Sequence, residues 1–542
     1  MNVISLVEHR AAATKMVVAP PLKAEVKERW WRGSVGAPQL MVLASLVLYL
    51  AAGLWIRYGL DYAIGDALSR SATARAVLFS AAPRAAAIGM VWLPLPALLQ
   101  LPLVALLEPF GLTEIAGPLL TAVCGALTVR LLLRMARRVG LARGWAMLYV
   151  ALYAANPLIV FQAANGMSEA VFALFFVGAL DALTEWLENP SSRALSRVAF
   201  MLAASMGVRY ETLPLALIVG VIMGLRRPDW RARALTAGVV MLPALYVFGV
   251  WLATNRVIMG SALYWKHELD VMAKPPVTAG WLPPRTLSNG VVYAAWRSLV
   301  VAPGLLVLVP VLLRRRYRWV GFGLLATGAL FPAMTAVLIA RDASWGNLRY
   351  FQPLLVTLVV AAVWLGAKTG SSARRVLLSA AVAVSVLTGT IAGSNARLTA
   401  VESEWQVFEA AFGRVSTTDL GYASRWRSTA ADIDRRIKDL ERNEVIAETR
   451  SASRAPEALV AIEMGRSFPL FLMSGHPKRL LIDSDPRFEV LAAAGFDDLP
   501  LVFSVGPPTG LLKTGLGEPI ERTWTAVELE AGTLYVRRYP LS

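Results

Sequence analysis

Residues 57–96 read RYGLDYAIGDALSRSATARAVLFSAAPRAAAIGMVWLPLP, and this stretch decides how the rest of the chain is understood. It follows the first long apolar run and carries Asp61 and Asp66, two of the few acids in the apolar part of the sequence. Arg70, Arg75 and Arg84 follow the acids, and the segment closes on Trp92-Leu93-Pro94-Leu95-Pro96. A connection this long between hydrophobic helices is either functional or disordered. This one is too apolar and too patterned for disorder. It reads as the roof of a site on the outer face of a membrane, with Asp66 at its centre.

The composition supports the membrane setting. With 56% hydrophobic residues, 17% charged residues and a mean hydropathy of +0.54, the chain is unlike a soluble globular protein. A net charge of +17 could suggest a nucleic-acid partner. Its Lys and Arg residues, however, sit in short clusters between apolar runs, which is the pattern of membrane topology; no nucleic acid is expected. The single cysteine, Cys124, rules out an intramolecular disulfide and a cysteine-based metal cluster. Three histidines in the whole chain argue against a histidine-rich metal site.

Residues 1–37 are polar and basic, with Lys23, Lys27, Arg29 and Arg32 ahead of the first span, and read as a cytoplasmic N-terminal segment without a cleavable signal. Spans are expected at 40–56, 113–133, 145–161, 169–187, 234–253, 291–313, 320–340, 350–366 and 376–391. Residues 198–225 are overlong for one span and basic at both flanks, so they read as two short spans with Arg209-Tyr210-Glu211 at the outer apex. The expected count is about eleven. Residues 93–107 are apolar but broken by Pro94, Pro96 and Pro102, and read as interfacial or re-entrant. Only on that reading does the cluster of Arg134, Arg137, Arg138 and Arg143 face the cytoplasm. The catalytic first outer loop would then cover 57–112.

From about residue 395 the composition changes and no further span follows. A charged, helix-like stretch (402–447) precedes strand-like runs at 459–462, 470–473, 480–483 and 501–505, with a helix at 488–494 and a terminal hairpin turning at Ala531-Gly532. Residues 395–542 therefore read as an extracytoplasmic α/β domain, following a transmembrane domain at 38–394. The fold class expected is a polytopic α-helical membrane protein with this appended domain.

Several side chains could carry chemistry. Asp66 follows Gly65 in an apolar loop, and a half-buried carboxylate beside a cation is what a general base requires. Glu169, after Asn165-Gly166-Met167-Ser168, is either a second acid or a helix N-terminal carboxylate favoured by the dipole. Arg349 and Arg209 suit bidentate contact with phosphate oxygens, with a snorkelling interfacial arginine as the alternative; Glu211 could simply pair with Arg209. Asp61 reads as a supporting or capping carboxylate at the same site. Tyr264, Trp265, His267 and Glu268 could line a sugar site, although such a run is more often an interfacial aromatic belt.

This layout resembles the GT-C superfamily of integral-membrane glycosyltransferases. The resemblance covers about residues 38–394 and rests on Asp66-Ala67 with its helix-like sequel 68–79, on Trp92-Leu93-Pro94-Leu95-Pro96, on Asn165–Glu169 and on Arg349-Tyr350-Phe351-Gln352-Pro353-Leu354. Residues 62–102 also resemble an actinobacterial subgroup. The family pattern often has a His or further acid before its proline segment; Ser80-Ala81-Ala82-Pro83-Arg84 has neither.

The resemblance implies transfer of a hexose or pentose from a polyprenyl-phosphate donor to an extracytoplasmic glycan, lipid or protein acceptor of the cell envelope. Asp66 and Glu169 would be catalytic, and Arg349, Tyr350, Arg209, Asp61, Trp92 and His267 would bind substrate. A multi-pass plasma-membrane location follows, with membrane lipids as partners. No cofactor is demanded; a divalent cation is compatible but not obligatory, because lipid phosphate is already a good leaving group. The competing readings are a polytopic lipid or glycan transporter or flippase, disfavoured by the absence of related halves, and a non-catalytic envelope-assembly protein.

Overall fold

In the computed structural model the described residues are 36–272, 286–341, 343–344, 346–395, 404–413, 422–442, 458–497, 499–508, 510–517 and 520–538. The basic N-terminal segment, and parts of the 254–290 loop and of the 402–447 stretch, lie outside them.

The chain begins with α1 (Ala37–Leu54), opened by a proline in its first turn and ended by a π-turn over Trp55–Gly59. The long connection that follows folds into α2 (Gly65–Phe79) and α3 (Leu95–Leu107). There follow α4 (Ala116–Arg138), the bent pair α5 (Arg143–Ala154) and α6 (Pro157–Ala164), and α7 (Ser168–Glu188). Next come the short α8 (Ser192–Met206) and α9 (Thr212–Leu225), the long α10 (Trp230–Met259) and α11 (Tyr264–Met272). A second bent pair, α12 (Leu287–Val301) and α13 (Gly304–Leu312), leads to α14 (Arg318–Ala340), α15 (Gln352–Lys368) and α16 (Ser372–Gly393).

Among the described residues, seven helices are long and apolar enough to cross a membrane, or up to nine if each bent pair is one span. These nine coincide with nine of the eleven expected spans. The other two expected segments are α8 and α9, which break at residues 207–211 as anticipated and are each shorter than a full-length span. The segment 95–110 is a short apolar helix, not a full-length span. The helices divide into an inner and an outer set. In α7 and α15, 83% and 89% of the apolar window is buried, against 22% in α1 and α10. Large apolar side chains such as Leu40, Val47, Leu242 and Tyr246 are exposed on that outer set, which is the surface a lipid phase would cover.

At the far end from Glu169, α7 is locked by charge. Asp181, buried, accepts from Arg138 (2.8 Å) and Arg197 (2.6 Å), while Glu185 pairs with Arg197 and Glu188 with Lys368. These cations come from α4, α8 and α15, so the ion network ties three neighbours to one helix.

After α17 (Glu404–Ala411) and α18 (Tyr422–Arg442) the chain forms a five-stranded sheet in the order β2-β1-β3-β5-β4. β1 (Val460–Ile462), β2 (Leu480–Ile482) and β3 (Leu501–Ser504) are parallel, with Val460 opposite Leu480 and Leu501. β4 (Trp524–Leu529) and β5 (Gly532–Arg537) form the antiparallel hairpin expected around Ala531-Gly532. Helix α20 (Pro486–Ala493) lies where expected. The run at 470–473, expected as a strand, is instead the end of helix α19 (Met464–Met473). A short apolar run does not by itself distinguish strand from buried helix. Here the run is buried against α2: Leu68, Ala72 and Ala76 share one core with Leu470, Phe471 and Leu472.

Candidate functional site

Three chain segments converge above the inner helices. The first is α2. It is preceded by the extended Ile64, the helix starts at Gly65, and Asp66 lies in the first turn, where the helix dipole favours a carboxylate. The second is the turn before α7. Asn165 Oδ1 accepts from the Met167 N–H at 2.8 Å, and Gly166 adopts φ +85° while pressed against Gly117 and Pro118. A side chain at 166 would be strained and would meet Pro118 at 3.0 Å, so glycine is required. This turn sets Glu169, 2% exposed, into the first turn of α7. The third is the 3-10 turn Leu348–Phe351, which delivers Arg349 and Tyr350.

Their side chains meet. Arg349 Nη2 donates to Asp66 Oδ2 at 3.0 Å, and its Nε lies 3.6 Å from Glu169 Oε1. Arg209, at the apex between α8 and α9, donates to the same Glu169 oxygen at 2.9 Å and to Glu211 at 2.6 Å and 3.4 Å. Burial works against the Arg209 charge, but Glu211 and Glu169 outweigh it and hold the guanidinium above its ordinary range. Burial likewise opposes the Glu211 charge, and Arg209 outweighs it, leaving the carboxyl below the usual range. Tyr350 lies beneath both guanidinium groups, 5.4 Å from Arg209 and 5.6 Å from Arg349.

Arg70, one helical turn after Asp66, completes the cluster. Its Nη1 donates to the Asp66 main-chain oxygen at 2.7 Å and reaches Met167 Sδ at 3.8 Å, a sulfur that Arg349 also approaches at 3.9 Å. Its guanidinium sits 5.3 Å from the Trp92 ring. Arg70 is 6% exposed, its Nε has no hydrogen-bond partner, and among the described residues it makes no ion pair with a carboxylate. Burial pushes its pKa below the ordinary arginine range, while Asp66 and Glu169 at longer distance act the other way. A buried guanidinium without a contacting anion is costly.

Of the residues singled out from the sequence, the structure brings together Asp66, Glu169, Arg349, Tyr350, Arg209 and, through Arg70, Trp92. Arg209 is saturated by two carboxylates and acts as their clamp. Glu211 pairs with it as expected. Asp61 lies apart from the cluster: its carboxylate accepts from Arg427 and from the Ser424 N–H, both on α18. His267 is exposed on α11; that helix reaches the site region through Trp265, whose ring stacks on Tyr210 at 4.2 Å. Arg70 and Met167 were missed as site residues. The available signal for Arg70 was its spacing: position i+4 from Asp66 lies on the same helix face. Among the described residues, no group of three or more His, Cys, Asp or Glu side chains is arranged to hold a metal.

No protein-family model and no curated protein matches the sequence. Among solved structures, the archaeal oligosaccharyltransferase AglB from Archaeoglobus fulgidus, in complex with an inhibitory peptide and a dolichol-phosphate, is similar over 93% of this chain and 75% of its own, at 11% identity and a TM-score of 0.42. The S. cerevisiae protein O-mannosyltransferase Pmt1-Pmt2 complex bound to the sugar donor is similar over 43% of this chain, at 15% identity and a TM-score of 0.32. That match spans 35% of the yeast chain's length. Likenesses this distant carry no functional argument, which rests on the side chains alone.

Proposed function

We propose that this chain is a membrane glycosyltransferase that moves a sugar from a polyprenyl-phosphate donor to an extracytoplasmic acceptor of the cell envelope. The observation that carries the reading is the pairing of a half-exposed carboxylate, Asp66, with a buried arginine, Arg70, that has no carboxylate in contact with it. The first can take a proton from a hydroxyl. The second calls for an anion such as a phosphate monoester or diester. Arg349 stands between them, within reach of both Asp66 and an incoming phosphate. The apolar helices around the cluster suit a lipid-tailed donor.

In the reaction, Asp66 removes the proton of an acceptor hydroxyl. That oxygen attacks the anomeric carbon from the face opposite the phosphate and forms the new glycosidic bond. The carbon–oxygen bond to phosphate breaks, and polyprenyl phosphate leaves with its electron pair. The sugar is inverted. Arg70 and Arg349 hold the leaving phosphate as its charge grows, and Glu169, fixed by Arg209, keeps Arg349 in place.

The test uses detergent-solubilised full-length protein and a panel of polyprenyl-phosphate hexoses and pentoses. Release of polyprenyl phosphate that requires Asp66 supports the reading. A transporter or a scaffold would release none.

A further inference from the structure

We infer that Asp61 is a positioning residue for Asp66, and that through it the C-terminal domain holds the Asp66 helix in place; the role of Asp66 itself rests on the function proposed above. Asp61 has φ +53°, a left-handed backbone that a non-glycine residue adopts only when its surroundings enforce it. What enforces it is α18. The Asp61 main-chain oxygen accepts from Ala423 N–H at 3.3 Å, and its Oδ2 accepts from Ser424 N–H at 2.7 Å. These are first-turn amides of α18, which have no partner within their own helix. A side chain from the membrane domain thus caps a helix of the C-terminal domain.

Arg427 makes the contact two-sided. Its Nη1 donates to Asp61 Oδ1 at 2.9 Å, and its Nε and Nη2 reach Glu114 at 3.4 Å and 3.2 Å. Glu114 also accepts from Arg57 Nε and Nη2 at 2.9 Å and 2.6 Å. One arginine of the C-terminal domain therefore gathers the start of the outer loop, Arg57 and Asp61, and its end, Glu114. Downstream of Asp66 a second staple exists. Arg75 Nη1 donates to the carbonyls of Phe471, Leu472 and Ser474 at 2.7–3.0 Å, and its Nε and Nη2 bind Glu108.

Asp66 lies between the two staples. Only residues 62–64, with Tyr62 and Ile64 buried, separate Asp61 from the start of α2, so there is little slack to absorb a shift. Displacement of Asp61 is passed to the first turn of α2, where Asp66 must meet Arg349 at 3.0 Å. Losing such alignment lowers the rate of the chemical step without weakening phosphate binding.

The experiment compares full-length wild type with Asp61→Asn and Arg427→Met. Asparagine tolerates the left-handed backbone, so this variant removes the charge without adding backbone strain. Amide hydrogen exchange is read over residues 62–79 and over α7, together with kcat and KM for the donor panel. Both variants should exchange at least about tenfold faster over 62–79, with α7 unchanged, as loss of a charge-assisted bond implies. They should lose about tenfold in kcat with donor KM within about twofold of wild type. The double variant should be no worse than the worse single one. Unchanged exchange, or faster exchange with unchanged kcat, overturns the inference. If wild type turns over no donor, the proposed function fails, and the exchange over 62–79 alone decides whether the domain holds the loop.

Discussion

Arg349 Nη2 lies 3.0 Å from Asp66 Oδ2, a contact made across 283 residues of sequence. Asp66 is thereby held by a guanidinium that also approaches Glu169. Replacing Asp66 by asparagine keeps the shape and a hydrogen-bond acceptor for Arg349 but removes the base. Asp66→Asn protein should fold with an unchanged melting temperature and lose about 10²–10⁴-fold in sugar transfer. Transfer at the wild-type rate by the folded variant would end the assignment of Asp66 as base.

Arg70 and Arg209 should respond in opposite ways. Arg70 has no carboxylate in contact, so Arg70→Met removes a buried charge and should leave stability unchanged or raised. The same variant should bind farnesyl phosphate about tenfold more weakly or worse, measured by titration in detergent. A destabilised Arg70→Met protein with wild-type affinity would mean that the arginine is structural.

Arg209 is embedded between Glu169 and Glu211. Arg209→Met leaves the largely buried Glu211 unpaired and Glu169 with Arg349 alone, at 3.6 Å, and should cost about 3–5 kcal/mol in thermal unfolding. Arg209→Gln combined with Glu211→Gln should recover part of that loss, because one stranded charge is removed with its partner.

Glu211 gives a pH signature. Arg209 holds its folded pKa below the unfolded value of 4.5, so its contribution to stability is complete above that value and disappears as pH falls through the folded one. Wild type should exceed Glu211→Gln in melting temperature at neutral pH, and the gap should close below pH 4.5. A gap that persists into acid would place its origin in packing.

Much of this was readable from the sequence because it depended on local signals. Apolar runs and proline breaks located the long helices, and Ala531-Gly532 marked the hairpin. The overlong stretch 198–225 with basic flanks was legible as two short helices, and α8 and α9 do meet at 207–211. The helix at 464–473 was misread because its apolar face is defined by α2, nearly four hundred residues away by hydrogen-bond partner. The hold of Arg209 on Glu169, and the turn of Asp61 toward Arg427, come from pairings at long sequence distance. No local pattern encodes them.

Helix α7 carries Glu169 in its first turn and the Asp181, Glu185 and Glu188 network in its last turns, with Arg209 gripping one end and Arg138 and Arg197 the other. A rod of 21 residues, roughly 30 Å long, pinned in this way cannot slide along its axis without breaking charge pairs. Changes in bilayer thickness must therefore be taken up by the lipid-facing helices α1 and α10, through tilt. The depth of Glu169, and with it the depth at which Arg349 meets Asp66, is buffered against the membrane in which the protein sits.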